Sequence, residues 1–336
     1  MAAPTLPPPP SLDAIDAALD RLSPYIERTP ARRWIPDIGG AGLPECELHL
    51  KLELFQRTGT FKVRGALVNV LEAGATALER GVTTVSAGNH AIAVAFAARA
   101  AGTTARVVML DSANPDRVTR CRAYGADVER APTGTAGFER AREIETEEGR
   151  LFIHPFEGER TILGTATLGL ELARQIPSLE AVVVPVGGGG LIAGVAAAVK
   201  AVNPGCAVYG VEPAGADSMS RSLAAGEPVA IDEVRTIADS LGAPHAAPYG
   251  YSLVERFVDD VVLVDDDALC RALNALFADA KIAAEPAAAA PLAALAGPLA
   301  DRLRGLRVAL VVSGSNIDRM TFCRLLARAV DGTEDA

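Results

Sequence analysis

Short β-branched runs alternate along this chain with longer stretches rich in alanine and leucine, and that alternation most limits how it can fold. Strands are expected at 47–54 (ELHLKLEL), 82–87 (VTTVSA), 105–110 (ARVVML), 181–186 (AVVVPV), 207–212 (AVYGVE), 258–264 (VDDVVLV) and 307–313 (RVALVVS). Between them, stretches such as 91–102 and 160–176 read as helices. Strands separated by helices predict a parallel sheet in an α/β fold, and the continuous apolar strands predict sheets covered on both faces. A length of 336 residues allows roughly two domains. The segment 154–159 (HPFEGE) and the stretch after 52–54 read as crossings between two lobes. The expected organisation is therefore a disordered, polyproline-like segment at 1–10, a larger lobe from 11–79 with 159–336, and a smaller inserted lobe at 80–158.

Charge and composition exclude several roles. A net charge of −10 argues against a nucleic-acid partner, which calls for a basic patch. No run of about 20 uninterrupted apolar residues predicts a membrane span. The longest alanine-rich stretch is broken by Pro286, Pro291 and Pro298. The first residues, MAAPTLPPPP, lack the basic and apolar regions of a signal peptide. Five widely spaced cysteines without a CxxC pair disfavour disulfide and metal frameworks and point to a reducing, cytoplasmic setting.

Three glycine-containing turns fall at expected strand ends, where α/β folds bind ligands. Gly187, Gly188, Gly189 and Gly190 form the strongest, since four bare residues cost backbone entropy unless something needs the exposed N–H groups. A phosphate at a helix N-terminus is such a need, and the absence of a nearby Lys or Arg disfavours a nucleoside-triphosphate loop. The second turn, VSAGNHA, presents Ser86, Asn89 and His90 around Ala87 and Gly88; the third, VVSGSNID, puts Ser313 at a strand end. Lys62 stands in TGTFKVRGA beside Phe61, in a chain whose Lys and Arg together number 32 and include only four lysines. A surface charge here would more often be Arg; a site needing an amine that can lose its proton must use Lys.

KLELFQRTGTFKVRGA, SAGNHA, PVGGGGLIAG, GVEP, TIADSL and SGSNID occur in the order seen in fold-type II pyridoxal-phosphate enzymes. The chain resembles the threonine/serine dehydratases, with serine racemase a near relative, from about residue 26 to 318. The resemblance implies a tryptophan synthase β-like fold of two three-layer α/β/α lobes with pyridoxal 5′-phosphate in the cleft. It implies that Lys62 holds the cofactor covalently and moves the α-proton, that Phe61 packs on the ring, and that Asn89 bonds its 3-oxygen. Gly187 to Gly190 and Leu191 would hold the phosphate, and Ser313 the ring nitrogen. Ser86, Ala87, Gly88, Asn89 and His90 would grip the substrate carboxylate. The implied reaction is loss of water from a 3-hydroxy amino acid, giving a 2-oxo acid and ammonia, in a homodimer.

Departures from that pattern qualify it. Where racemase-like members carry a second acid, this chain has Ala87, which favours elimination over racemisation. Racemases of serine or aspartate and dehydratases of 3-hydroxyaspartate or aryl-serines share the fold. A divalent or monovalent cation site in some relatives corresponds to Glu212 and the Ala216 carbonyl, but its aspartate is Ser218 here, with Asp217 one place early. Residues 188–193 (GGGLIA) with Glu212 also satisfy a weak dinucleotide fingerprint, which would make a nicotinamide dehydrogenase and leave Lys62 unexplained. The segment 242–252 is expected over the substrate side chain, with His245, Tyr249 and Tyr251 as contacts.

Overall fold

The computed structural model describes residues 6–36 and 42–331. Among the described residues ten strands form two sheets: β1 Ala31–Trp34, β2 Glu47–Leu52, β3 Val82–Val85, β4 Ala105–Leu110, β5 Asp127–Ala131, β6 Leu151–Phe152, β7 Ala181–Pro185, β8 Ala207–Pro213, β9 Asp260–Val264 and β10 Arg307–Val312. The larger sheet runs β1-β2-β10-β7-β8-β9 and the smaller β5-β4-β3-β6. All seven expected strands form. β1, β5 and β6 are additional: β1 and β6 have four and two residues, β5 reads DVERA with three charged side chains, and β1 pairs antiparallel at the edge, whereas the other pairs are parallel.

The apolar runs explain the layers. On one side of the larger sheet, the helices Asp266–Ala278, Pro286–Leu295 and Arg319–Asp331 enclose one core; on the other, Glu159–Gln175, Gly190–Val202 and Pro248–Phe257 enclose a second. The helix Pro286–Leu295 is buried along its whole length and carries Pro291 inside it, so the alanine-rich stretch is a core helix. All four strands of the smaller sheet lie within 82–152. The helices Leu12–Leu22 and Lys62–Leu71 contribute Ala18, Leu22, Val63 and Leu67 to the core of that smaller sheet, and Leu12–Leu22 also places Ile15 against Leu170 and Ala198. The stretch 11–79 therefore straddles both lobes rather than belonging to the larger alone.

Of the N-terminal segment expected to be disordered, residues 1–5 lie outside the described residues. Pro8 is tied to the larger lobe, where the Tyr249 hydroxyl donates to its carbonyl at 2.9 Å. No described helix is long and apolar enough to cross a membrane.

Candidate active site

Lys62 opens the helix Lys62–Leu71, just past β2 and the 3₁₀ turn Glu53–Phe55. A buried charge network fixes this helix start. Arg64 Nε and Nη2 donate to the two Glu53 carboxylate oxygens at 2.8 and 2.9 Å, and Nη1 and Nη2 donate to Glu171 at 3.0 and 2.9 Å. Lys51 Nζ donates to Glu171 at 2.9 Å and to Thr29 O at 2.8 Å. Two cations thus face two carboxylates with their hydrogen bonds satisfied, the condition under which buried charge is tolerated. Two residues before Arg64, Lys62 Nζ donates to Pro155 O at 2.6 Å. Burial lowers its pKa from 10.5 to about 8, although Glu285 opposes the shift, so the amine sheds its proton far more readily than an exposed lysine.

Lys62 faces a cavity of about 580 Å³ whose wall includes Ser86, Ala87, Gly88, Asn89, His90 and Gly188. The loop 86–90 starts the helix Asn89–Ala100 at the end of β3. Gly88 N–H donates to Ser86 Oγ at 3.0 Å. An added Cβ at Gly88 would lie 2.3 Å from Arg117 Cδ, so glycine admits that side chain against the loop. Asn89 Nδ2 donates to both Glu285 oxygens at 2.8 and 2.9 Å, and its Oδ1 accepts from Asn316 Nδ2 at 2.8 Å. His90 Nε2 donates to Ile153 O at 3.1 Å; burial, reinforced by Lys62, pushes its pKa down to about 3, so the ring is neutral.

The tetraglycine turn follows β7 and opens the helix Gly190–Val202, which no side chain caps at its N-terminus. Gly189 has φ +88°, a left-handed conformation that glycine adopts without strain. An added Cβ at Gly188 would lie 2.3 Å from the Phe156 ring, and at Gly190 2.2 Å from Phe156 O. Bare backbone is therefore required by Phe156 as well as available to an anion. Phe61, Lys62, Phe156, Gly190 and Leu191 border one small void of about 10 Å³, which brings the amine and the glycine turn to the same place. Ser313, at the end of β10, is buried, and its carbonyl accepts from Phe61 N–H at 3.2 Å.

Two of the expected contacts lie elsewhere. Tyr249 and Tyr251 do not line the cavity: their hydroxyls donate to Pro8 O and, at 2.8 Å, to Glu255. Only His245 of that trio reaches the wall. Glu212 is engaged at a helix start. Its carboxylate accepts from Met219 N–H and Ser220 N–H at 2.8 Å and from Ser220 Oγ at 2.7 Å, capping the helix Ser218–Ala225, while Ala216 is buried beside it. Among the described residues, no group of three or more His, Cys, Asp or Glu side chains could hold a metal.

Sequence reasoning missed Glu285, Phe156 and Arg117. A lone carboxylate opening an alanine run was a legible signal for Glu285; Phe156, within HPFEGE, was read only as part of a crossing.

Pyridoxal phosphate requires an amine that loses its proton, unblocked N–H groups for its phosphate and an apolar slot for its ring. Lys62, the uncapped glycine-rich helix start, and Phe61 with Phe156 fit those requirements. The model of the family described as pyridoxal-phosphate dependent enzyme matches residues 22–314. A phenylserine dehydratase from Ralstonia pickettii is 48% identical over 317 residues, covering 94% of this chain and 96% of that protein. Maize serine racemase superposes with a TM-score of 0.87 at 33% identity, covering 96% and 99% of the two chains. A T.th. threonine deaminase does so with 0.85 at 39% identity, covering 92% and 99%. Two sheets flanked by helices, a partly buried amine beside a glycine-rich helix start and these likenesses together place the chain in the family of fold-type II pyridoxal-phosphate dependent enzymes.

Proposed function

We propose that this enzyme removes water from a 3-hydroxy amino acid carrying an aryl group, giving a 2-oxo acid and ammonia. The observation that carries this reading is the apolar part of the cavity wall: Val85, Leu110, Phe138, Pro155 and Phe156 line it. Arg117, which also borders the cavity, is committed to Asp239 and to Asn316 O at 2.8 Å, so a second substrate carboxylate would find no free cation there. Glu139 and Asp239 on the same wall would repel it. The likeness to a phenylserine dehydratase supports the same side-chain class.

In this reading the N–H groups at the start of the helix Asn89–Ala100, with Ser86, hold the substrate carboxylate. Asn89 is held in turn by Glu285 and Asn316. Bound pyridoxal phosphate supplies the electron sink for the Cα–H bond. Lys62 takes the α-proton, and neutral His90 supports the loop without adding charge. Ala87 offers no acid to the opposite face, so epimerisation is negligible. A homodimer in the cytoplasm belongs to the same reading; sedimentation velocity checks the dimer.

The test is a panel of phenylserine, L-serine, L-threonine and 3-hydroxyaspartate, assayed for ammonia and 2-oxo acid. Burying a phenyl group is worth about 2–3 kcal/mol, so kcat/KM for phenylserine is expected to exceed that for L-serine by roughly 30- to 150-fold. Equal or better use of 3-hydroxyaspartate would sink the aryl assignment.

A further inference from the structure

We propose that His245 is the acid that protonates the departing β-hydroxyl, an inference that rests on the elimination reading above. Loss of hydroxide is difficult without a proton donor, and a cavity side chain distinct from the base that takes the α-proton can supply one.

The chain has four histidines, and three are committed elsewhere. His49 lies on β2, its Nε2 bonded to Glu47 at 3.0 Å. His90 spends its N–H on Ile153 O. His154 Nδ1 accepts from Phe156 N–H at 3.2 Å and Glu157 N–H at 3.0 Å, and burial pushes its pKa down to about 3. His245 is the fourth. It borders the cavity that Lys62 and Gly188 also face, and among the described residues no hydrogen bond engages its ring.

Its position is built rather than incidental. The backbone at His245 forms a β-bridge with Ala230, and Ile231 N–H donates to Pro244 O at 2.8 Å, which anchors an otherwise irregular segment. The imidazole meets the Phe156 ring at 5.6 Å between centroids, inclined at 61°, and Phe156 in turn stands edge-on to His154 at 4.6 Å. That row fixes the imidazole beside the glycine turn. The hydroxyls on the cavity wall are poorer acids than an imidazolium, and that of Ser240 already donates to Asp239 at 3.3 Å.

In the step, Lys62 takes the α-proton and the Cα–H electron pair forms the Cα–Cβ double bond. The Cβ–O bond breaks with its electron pair on oxygen, and the imidazolium proton of His245 passes to that oxygen, giving water. Tautomerisation and hydrolysis then consume one water and release ammonia and the 2-oxo acid, while solvent reprotonates the imidazole.

The test uses the holoenzyme and its His245→Gln and His245→Asn variants, with L-serine, phenylserine and 3-chloro-L-alanine as substrates. Chloride leaves without a proton, so 3-chloro-L-alanine bypasses the acid. The expected result is a fall of roughly 10²- to 10³-fold in kcat/KM for the hydroxy amino acids and less than about 3-fold for 3-chloro-L-alanine. The cofactor absorption band and the Kd for L-phenylalanine, read from that band, are expected to stay within about 2-fold, because L-phenylalanine has no leaving group. Equal falls for L-serine and 3-chloro-L-alanine would assign His245 a structural or binding role and overturn the proposal, as would unchanged hydroxyl turnover. A wild type that expels chloride but no hydroxyl would overturn it too. Wild-type use of L-serine with no use of phenylserine or binding of L-phenylalanine would instead defeat the aryl reading, while the hydroxyl-to-chloride ratio still reports on His245.

Discussion

Burial holds the pKa of Lys62 near 8 rather than 10.5, so between those values the unfolded chain binds a proton that the folded chain has released. Stability of the cofactor-free protein therefore rises with pH across that window, and below pH 8 the partly buried ammonium costs at most about 3 kcal/mol, less where solvent in the cavity screens it. Lys62→Met should stabilise the cofactor-free protein by up to that amount at pH 7, with the advantage shrinking from pH 8 to 10.5. Urea midpoints measured across pH check this; a pH-independent difference would mean that the amine is not enclosed. The same variant should lose the cofactor band. At Ala87, which borders the cavity, Ala87→Ser is expected to raise racemisation relative to elimination; chiral chromatography beside a 2-oxo acid assay decides it.

Elements are held by groups that local sequence does not pair. Arg64, fully buried on the helix that Lys62 opens, reaches Glu53 after β2 and Glu171 on Glu159–Gln175. Arg64→Met would leave Lys51 as the single cation for two buried carboxylates, and should cost about 3–5 kcal/mol in denaturant unfolding. Arg64→Lys should recover only part, because an ammonium cannot reproduce the fork. At the glycine turn, Gly188→Ala is expected to push the Phe156 ring aside and weaken cofactor binding at least about tenfold, read by equilibrium dialysis. Glu212 caps the helix Ser218–Ala225 through three hydrogen bonds, so chelator treatment should leave the thermal midpoint unchanged. A fall on removing a cation would restore the metal reading at that helix.

Across the whole molecule, Arg117 and Asn89, carried on helices of the smaller lobe, meet Asp239, Glu285 and Asn316 of the larger. Arg117→Met should cost about 2–3 kcal/mol and speed amide exchange in 115–123 more than in β7 and β8. Uniform exchange protection would show that the lobes do not depend on this contact. The repeat of apolar strand and amphipathic helix determined the α/β class, because burying both faces of a parallel sheet leaves that pattern in any local window. Lys62, the tetraglycine turn and the loop 86–90 stand out in the sequence as candidates, since a lone amine and bare backbone are chemical requirements written in residue type. Tertiary structure alone decided which side chains meet them. Phe156 against Gly188, Glu285 against Asn89 and His245 at the cavity are pairings between segments far apart in the chain, and composition and spacing carry no record of such contacts. It also set Glu212 against the first N–H groups of the helix Ser218–Ala225, because a carboxylate's partners are the donors that folding brings to it.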